Sequence, residues 1–257
     1  MKVAAYQAPL FECGSMEALG LIHEQVALCE AAGVEFLCCP EAMLGGLADY
    51  VTRPVEIAIE VENGMLDKIL APLASEKVTT IVGFTQINQQ GRLYNAAAVF
   101  HKGSVVGLYR KNHPAINRSI YEAGTTVPVF KVGTLTFGIL ICNDSNYPEL
   151  ARLMATQGAT ALFIPTNNGL PPKKGGPELV AEARRVDIAC AVENRVSVIR
   201  ADVAGRLPDF VSYGSSGIID PDGQVIKTAT SLKPELLVAE IKPATHNKGL
   251  QQTSVEC

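Results

Sequence analysis

Apolar positions along the chain alternate between short unbroken runs and stripes at helical spacing. VAAYQ near the start reads as a strand. Leu19, Ile22, Val26 and Cys29 then recur on one helical face, with Ser15 placed to cap the helix and Gly33 to stop it. VEFLCC (34–39) reads as a buried strand that Pro40 ends. A second helix is expected over 65–75, followed by a strand over 79–87. The pattern then turns to hairpins. LYNAAAVF and SVVGLYRK flank Lys102-Gly103, and PVFKV and LTFGILIC flank Gly133-Thr134. A helix over 148–157, a strand over 160–166, a long helix over 177–193 and a strand over 195–203 come next. GSSGIID, QVIKTA and LLVAEIK close the pattern as strands around a Pro221-Asp222-Gly223 turn.

Parallel β-α-β crossovers and antiparallel hairpins together predict an α/β fold with mixed sheets. No linker-like or low-complexity stretch divides the chain, so one domain over 1–257 is expected. The one long stretch without regular pattern is 166–177, TNNGLPPKKGGP, and a loop of that length is commonly functional or mobile.

Composition narrows the class. With 47% hydrophobic and 19% charged residues, the 257-residue chain is globular, not disordered. A net charge of −4 lacks the clustered basic footprint of a nucleic-acid binder. No apolar run reaches membrane-spanning length and no secretory leader is evident at the start, so neither membrane insertion nor export is expected. Seven cysteines, at 13, 29, 38, 39, 142, 190 and 257, form no C-x-x-C pair, and an odd number cannot all pair within the chain. Free thiols in a reducing, cytoplasmic setting follow.

Three strand ends carry chemistry. Glu41 follows the strand ending CCPEA, Lys111 ends a hairpin strand in LYRKNHP, and Cys142 ends the very apolar GILIC. A thiol needs a base or a positive neighbour to become a nucleophile, a carboxylate can shuttle its proton, and a fixed ammonium can stabilise an oxyanion. Taken singly, each has an ordinary structural reading: a solvated loop acid, a solvated hairpin end, a small core residue.

The order and context of these segments make a pattern. VAAYQ, FLCCPEA, YRKNH, GILICNDSNYPE, FIPTNN, AVENRVSVIRAD and SSGIIDPDGQVI run from the first strand to the last. On them the chain resembles the nitrilase superfamily of carbon–nitrogen hydrolases, in its amidase-like branch. The resemblance implies a four-layer α-β-β-α sandwich with two mixed sheets. It also implies a Glu41, Lys111, Cys142 triad with the backbone N–H of Asn143 in the oxyanion site, and no metal or organic cofactor. The implied partner is a small amide or carbamoyl substrate. The superfamily's habit of pairing further implies a homodimer or a higher even oligomer.

The chain also departs from the family pattern. Pro114 follows His113 where the family has Leu. Asn117 and Arg118 fall near the place of a second family glutamate; Glu122, the nearest acid, reads as a family acid-x-Gly loop position or as a substrate-binding residue. Asp144 favours amides over nitriles, while Asn143 stands where amidase-like branches carry an aromatic. Asn168 is expected to shape the pocket wall, and Tyr147 to contact substrate or to pack at the start of its helix. Glu193, Asn194 and Arg195 are expected to serve in structural hydrogen bonds. Cys29, Cys38, Cys39 and Cys190 read as core thiols, and Cys13 and Cys257 as sites open to oxidation. Lys173 and Lys174 read as solvated, or as an attraction for an acidic substrate. Three other functions stay open: acyl transfer through the same intermediate, a Cys-His peptidase using His23, His101, His113 or His246, and a non-catalytic metabolite-binding protein.

Overall fold

The computed structural model describes residues 1–12, 14, 15, 17–115 and 119–242. Cys13, Asn117, Arg118, His246 and Cys257 lie outside the described residues.

Two mixed sheets pack face to face. The first has the order β12 (Val211–Ser212), β11 (Val203–Arg206), β1 (Lys2–Pro9), β2 (Phe36–Cys38), β4 (Thr79–Ile87), β5 (Leu93–His101) and β6 (Ser104–Arg110). β15 (Glu235–Glu240) also pairs with β1, and β3 (Ile59–Glu60) with β4. The second sheet runs β14 (Val225–Thr228), β13 (Gly217–Ile219), β10 (Ser197–Ala201), β9 (Ala161–Pro165), β8 (Leu135–Ile139) and β7 (Val129–Val132). Helices α1 (Ala18–Ala32) and α2 (Met65–Leu70) cover the outer face of the first sheet, and α3 (Pro148–Thr156) and α4 (Pro177–Asn194) that of the second. This is the four-layer α-β-β-α sandwich that the resemblance implies.

Strand alternation explains the layering, because successive side chains point to opposite faces. Ala4 and Tyr6 of β1, Leu37 of β2 and Cys39 just past it pack with Ile22, Val26 and Cys29 of α1. Their neighbours Val3, Ala5, Phe36 and Cys38 face the second sheet. Phe36 sits between the layers against Phe137 and Phe163, with ring centroids 5.6 and 5.9 Å away. Both faces of these strands are buried, which is why they read as unbroken apolar runs. Cys29, Cys38, Cys39 and Cys190 are core thiols, as expected.

Several boundaries differ from the sequence pattern. The Ser15 hydroxyl accepts the Glu17 N–H at 3.2 Å, but the helix starts at Ala18; Gly33 does stop it, at φ 69°. Pro72 breaks the second helix into α2 and a 3-10 turn over Ala71–Leu73. The run 195–203 is not one strand. β10 belongs to the second sheet and β11 to the first, and the chain changes sheet at Asp202. Apolarity cannot show this crossing, since both halves are buried. Among the described residues no helix is long and apolar enough to cross a membrane.

Gly83 on β4 connects the fold to its one unusual loop. A Cβ there would collide with the Pro40 carbonyl oxygen, and would lie 2.6 Å from the Ala42 nitrogen and 2.8 Å from the Glu41 Cα. The loop after β2 therefore lies directly on a bare patch of β4, where the Leu44 N–H donates to the Gly83 carbonyl at 3.1 Å. Gly83→Ala is expected to lower stability by about 1–3 kcal/mol through overpacking, read from urea unfolding. An unchanged midpoint would contradict this placement of the loop.

Candidate active site

Glu41, Lys111 and Cys142 come from three loops on three strands and line one cavity. Glu41 lies three residues past β2, with its N–H donating to the Thr166 carbonyl at 3.2 Å. Lys111 directly follows β6, and its N–H still pairs with the Asn95 carbonyl of β5 at 2.8 Å. Cys142 opens a 3-10 turn (Cys142–Asn146) with φ 48°, a left-handed conformation costly for a residue with a Cβ. The Ser145 hydroxyl holds this turn by donating to the Cys142 carbonyl at 2.8 Å.

The Glu41 carboxylate is almost fully buried and surrounded by donors. Oε1 accepts from Lys111 Nζ at 2.5 Å and from Asn95 Nδ2 at 2.7 Å, and Oε2 accepts from the Asn167 N–H at 3.0 Å. Burial by itself would lower the Lys111 pKa. The charge of Glu41, then that of Cys142 and the Glu41 hydrogen bond, outweigh it and hold Lys111 above the usual lysine value. Burial and the nearby Glu41 charge push the Cys142 thiol up to about 12, against the opposing pull of Lys111 and Arg200. At rest Lys111 is thus an ammonium and Cys142 a thiol.

Asp144 ties the lysine arm to the nucleophile turn. Its carboxylate accepts from the Tyr109 hydroxyl at 2.8 Å, the His113 N–H at 2.8 Å and the Ile141 N–H at 3.1 Å. Burial raises its pKa, and the Lys111 charge and these donors oppose the rise.

The other expected residues separate. Asn168 lines the cavity, held to Asp202 through its N–H at 2.9 Å and its Nδ2 at 3.0 Å. Asn143 stays in the nucleophile turn, with Nδ2 donating to the His113 carbonyl at 3.1 Å. Tyr147 packs at the start of α3, its ring 3.5 Å from that of His113 and nearly parallel, and it does not line the cavity. Glu122 is exposed; its N–H pairs with the Leu93 carbonyl, and it also lies outside the lining. Asn194 caps its own helix by donating to the Cys190 carbonyl at 2.9 Å, and Arg195 ends that helix at φ 53°. Lys173 and Lys174 are exposed and lie outside the lining. No histidine among the described residues lines the cavity. None of the described His, Cys, Asp and Glu residues form a group of three or more suited to a metal ion.

Sequence reasoning missed Asn95, Asn167, Asp49 and Tyr121, all of which line the cavity. Asn95 left a signal, being the one amide inside the apolar run LYNAAAVF. Asp49 gave none. It lies in a loop of short 3-10 turns and reaches the cavity through the Ser119 hydroxyl and the Ile120 N–H, each 2.9 Å from its carboxylate.

The family model described as carbon–nitrogen hydrolase matches residues 2–248. The chain belongs to the carbon–nitrogen hydrolase family. It is 32% identical over 238 residues to a Pseudomonas protegens protein named hydrolase in pqqF 5′region, covering 89% of this chain and 79% of that one. It is 30% identical over 213 residues to a nitrilase of Pyrococcus abyssi, covering 81% and 77%. With an N-carbamoylputrescine amidase of Oryza sativa subsp. japonica it shares 32% over 177 residues, 61% of this chain and 59% of that protein. The solved structure of Saccharomyces cerevisiae Nit3, a member of the nitrilase superfamily, superposes with a TM-score of 0.79 at 22% identity, over 95% of this chain and 90% of that one. An amidase from Nesterenkonia sp. AN1 gives 0.78 at 23%, over 94% and 93%. At these identities the two structures establish the carbon–nitrogen hydrolase fold alone.

The raised thiol of this carbon–nitrogen hydrolase has a direct consequence. Alkylation by iodoacetamide requires thiolate. With the proton retained up to about 12, the alkylation rate of Cys142 is expected to climb without levelling from about pH 7 to about 9.5. A plateau below about pH 8.5, read by peptide mass, would contradict the buried-thiol geometry.

Proposed function

We propose that the protein hydrolyses a non-peptide C–N bond of a small amide or carbamoyl compound through a thioester on Cys142. The observation that carries this reading is the buried Glu41 carboxylate, hydrogen-bonded to Lys111 Nζ at 2.5 Å in the cavity that Cys142 also lines. A binding site has no use for a nucleophile, a base and a fixed cation together.

The chemistry follows from the resting protonation states. Cys142 enters as a thiol, so its proton passes to Glu41 as sulfur attacks the substrate carbonyl. Lys111 Nζ and the Asn143 N–H receive the oxyanion. Asn143 is in the first turn of its short helix, where amides lack an intrahelical acceptor. Each such donor is worth about 3 kcal/mol in the transition state. Glu41 then returns the proton to the departing ammonia or amine as the C–N bond breaks. Water gives its proton to Glu41 as its oxygen attacks the thioester, and Glu41 passes that proton to sulfur as the C–S bond breaks, so the acid leaves and the Cys142 thiol re-forms. Glu41 serves in four proton transfers from one place, because Asn95 and Asn167 hold both its oxygens.

Acyl transfer shares every step up to the thioester and differs only in the nucleophile that ends it. The peptidase alternative has less support: the His113 ring lies flat on Tyr147, and Cys142 shares its cavity with Glu41 and Lys111. The amidase names of several relatives and the Asp144 position favour amide or carbamoyl substrates over nitriles.

Ammonia release from a panel of ω-amides, carbamoyl amines and short aliphatic amides tests the proposal. At least one member is expected to turn over, with Cys142→Ala and Glu41→Gln each reducing the rate by about 100-fold or more. Equal ammonia from the Cys142→Ala variant and the parent would overturn it.

A further inference from the structure

A second cation is hydrogen-bonded into the Cys142 turn and takes no part in the mechanism above. Arg200, on β10, is 2% exposed. Asp187 of α4, fully buried, grips it in a fork, with Arg200 Nε to Oδ2 at 2.8 Å and Nη2 to Oδ1 at 2.5 Å. The fork's remaining reach goes elsewhere. Nη1 donates to the Thr166 hydroxyl at 2.7 Å, and Nη2 also donates to the Ser145 hydroxyl at 3.0 Å.

Both acceptors belong to the catalytic loops. The Ser145 hydroxyl donates in turn to the Cys142 carbonyl, at the residue with φ 48°. The Thr166 carbonyl accepts the Glu41 N–H. One guanidinium is thus hydrogen-bonded both to a residue that holds the Cys142 turn and to one that holds the Glu41 loop. A planar fork with several fixed donors is suited to this, and a lysine ammonium on a flexible stem is not.

We propose that Arg200, clamped by Asp187, is a positioning residue for Cys142. It holds the left-handed nucleophile turn through Ser145, registers that turn against the Glu41 loop through Thr166, and its charge favours the thiolate formed during attack. The charges of Glu41, Lys111, Arg200 and Asp202 act on the Cys142 thiol, the two cations against its proton and the two acids for it. Lys111 is committed to Glu41 at 2.5 Å, and Asp202 is held by Ser215, Asn168 and Val203. Arg200 is therefore the second cation on the thiol, approaching from the second sheet while Lys111 approaches from the first. The positioning role rests on the thiol-hydrolase reading, but its effect on the thiol is measurable without any substrate.

Three variants test it: the neutral pair Arg200→Gln with Asp187→Asn, Arg200→Lys, and Ser145→Ala. Circular dichroism checks the fold of each. The readouts are Cys142 alkylation by iodoacetamide at pH 8.5, assigned by peptide mass, and kcat and KM on the best amide. The neutral pair is expected to slow alkylation at least fivefold. Arg200→Lys, which keeps the charge, is expected to alkylate within twofold of the parent yet lose at least tenfold in kcat with KM within threefold. Ser145→Ala is expected to show the same split. A folded neutral pair alkylating at the parental rate would overturn the electrostatic role, and parental kcat in both Arg200→Lys and Ser145→Ala would overturn the positioning role. If the neutral pair does not fold, the two single variants decide. If no amide turns over, slowed alkylation in the neutral pair supports the contact between Arg200 and the thiol while the hydrolase reading fails, and parental alkylation overturns both.

Discussion

The ion pair between Glu41 and Lys111 is the constraint on which the site depends. Its two charges are 2.5 Å apart, with 2% and 4% of their side-chain surface exposed. Taking a carboxylate and an ammonium out of water costs several kcal/mol for each ion, and their attraction recovers this only when further hydrogen bonds satisfy the remaining positions. Here Asn95 and the Asn167 amide complete the carboxylate. Removing either charge leaves the other buried without its partner, so the pair is held together by the cost of separating it. Burial beside this pair, with the Glu41 charge, also pushes the Cys142 thiol up.

The sandwich supplies that burial and the rigidity around it. Glu41 and Lys111 leave the first sheet, Cys142 leaves the second, and the site lies where strand ends of the two layers meet. The connections across the meeting point are polar and specific. Asp144 joins the nucleophile turn to the lysine arm, the Thr166 carbonyl takes the Glu41 N–H, and Asp202 sits where the chain itself changes sheet. Gly83 lets the Glu41 loop lie on β4 with no side chain between them. Positioning by backbone on rigid strands gives the fixed geometry that the proposed acid–base role of Glu41 requires.

The catalytic candidates were legible because each ends an apolar strand, and a charged or nucleophilic group at such a place stands out from its surroundings. Family resemblance then joined three separate signals into one. The supporting residues were far less visible. Asn167 acts through its backbone N–H, which no side-chain pattern reports. Asp49 and Tyr121 reach the cavity from loops whose path depends on tertiary contacts. The change of sheet within 195–203 was hidden because both halves are apolar and buried, so a period-based reading sees one continuous strand. Arg200 stood inside that same run between the apolar Ile199 and Ala201. Its partner Asp187 lies thirteen residues earlier on another element, and no local spacing connects the two.

The central claim is that carbon–nitrogen bond cleavage passes through an acyl group on Cys142. The most direct measurement is to quench the protein in acid during turnover, digest it, and weigh each cysteine-containing peptide. The account predicts the acyl mass of the substrate on the peptide containing Cys142 and on no other, accumulating further when Glu41→Gln slows attack by water. Turnover that leaves the Cys142 peptide unmodified and places the acyl group on another residue would contradict it.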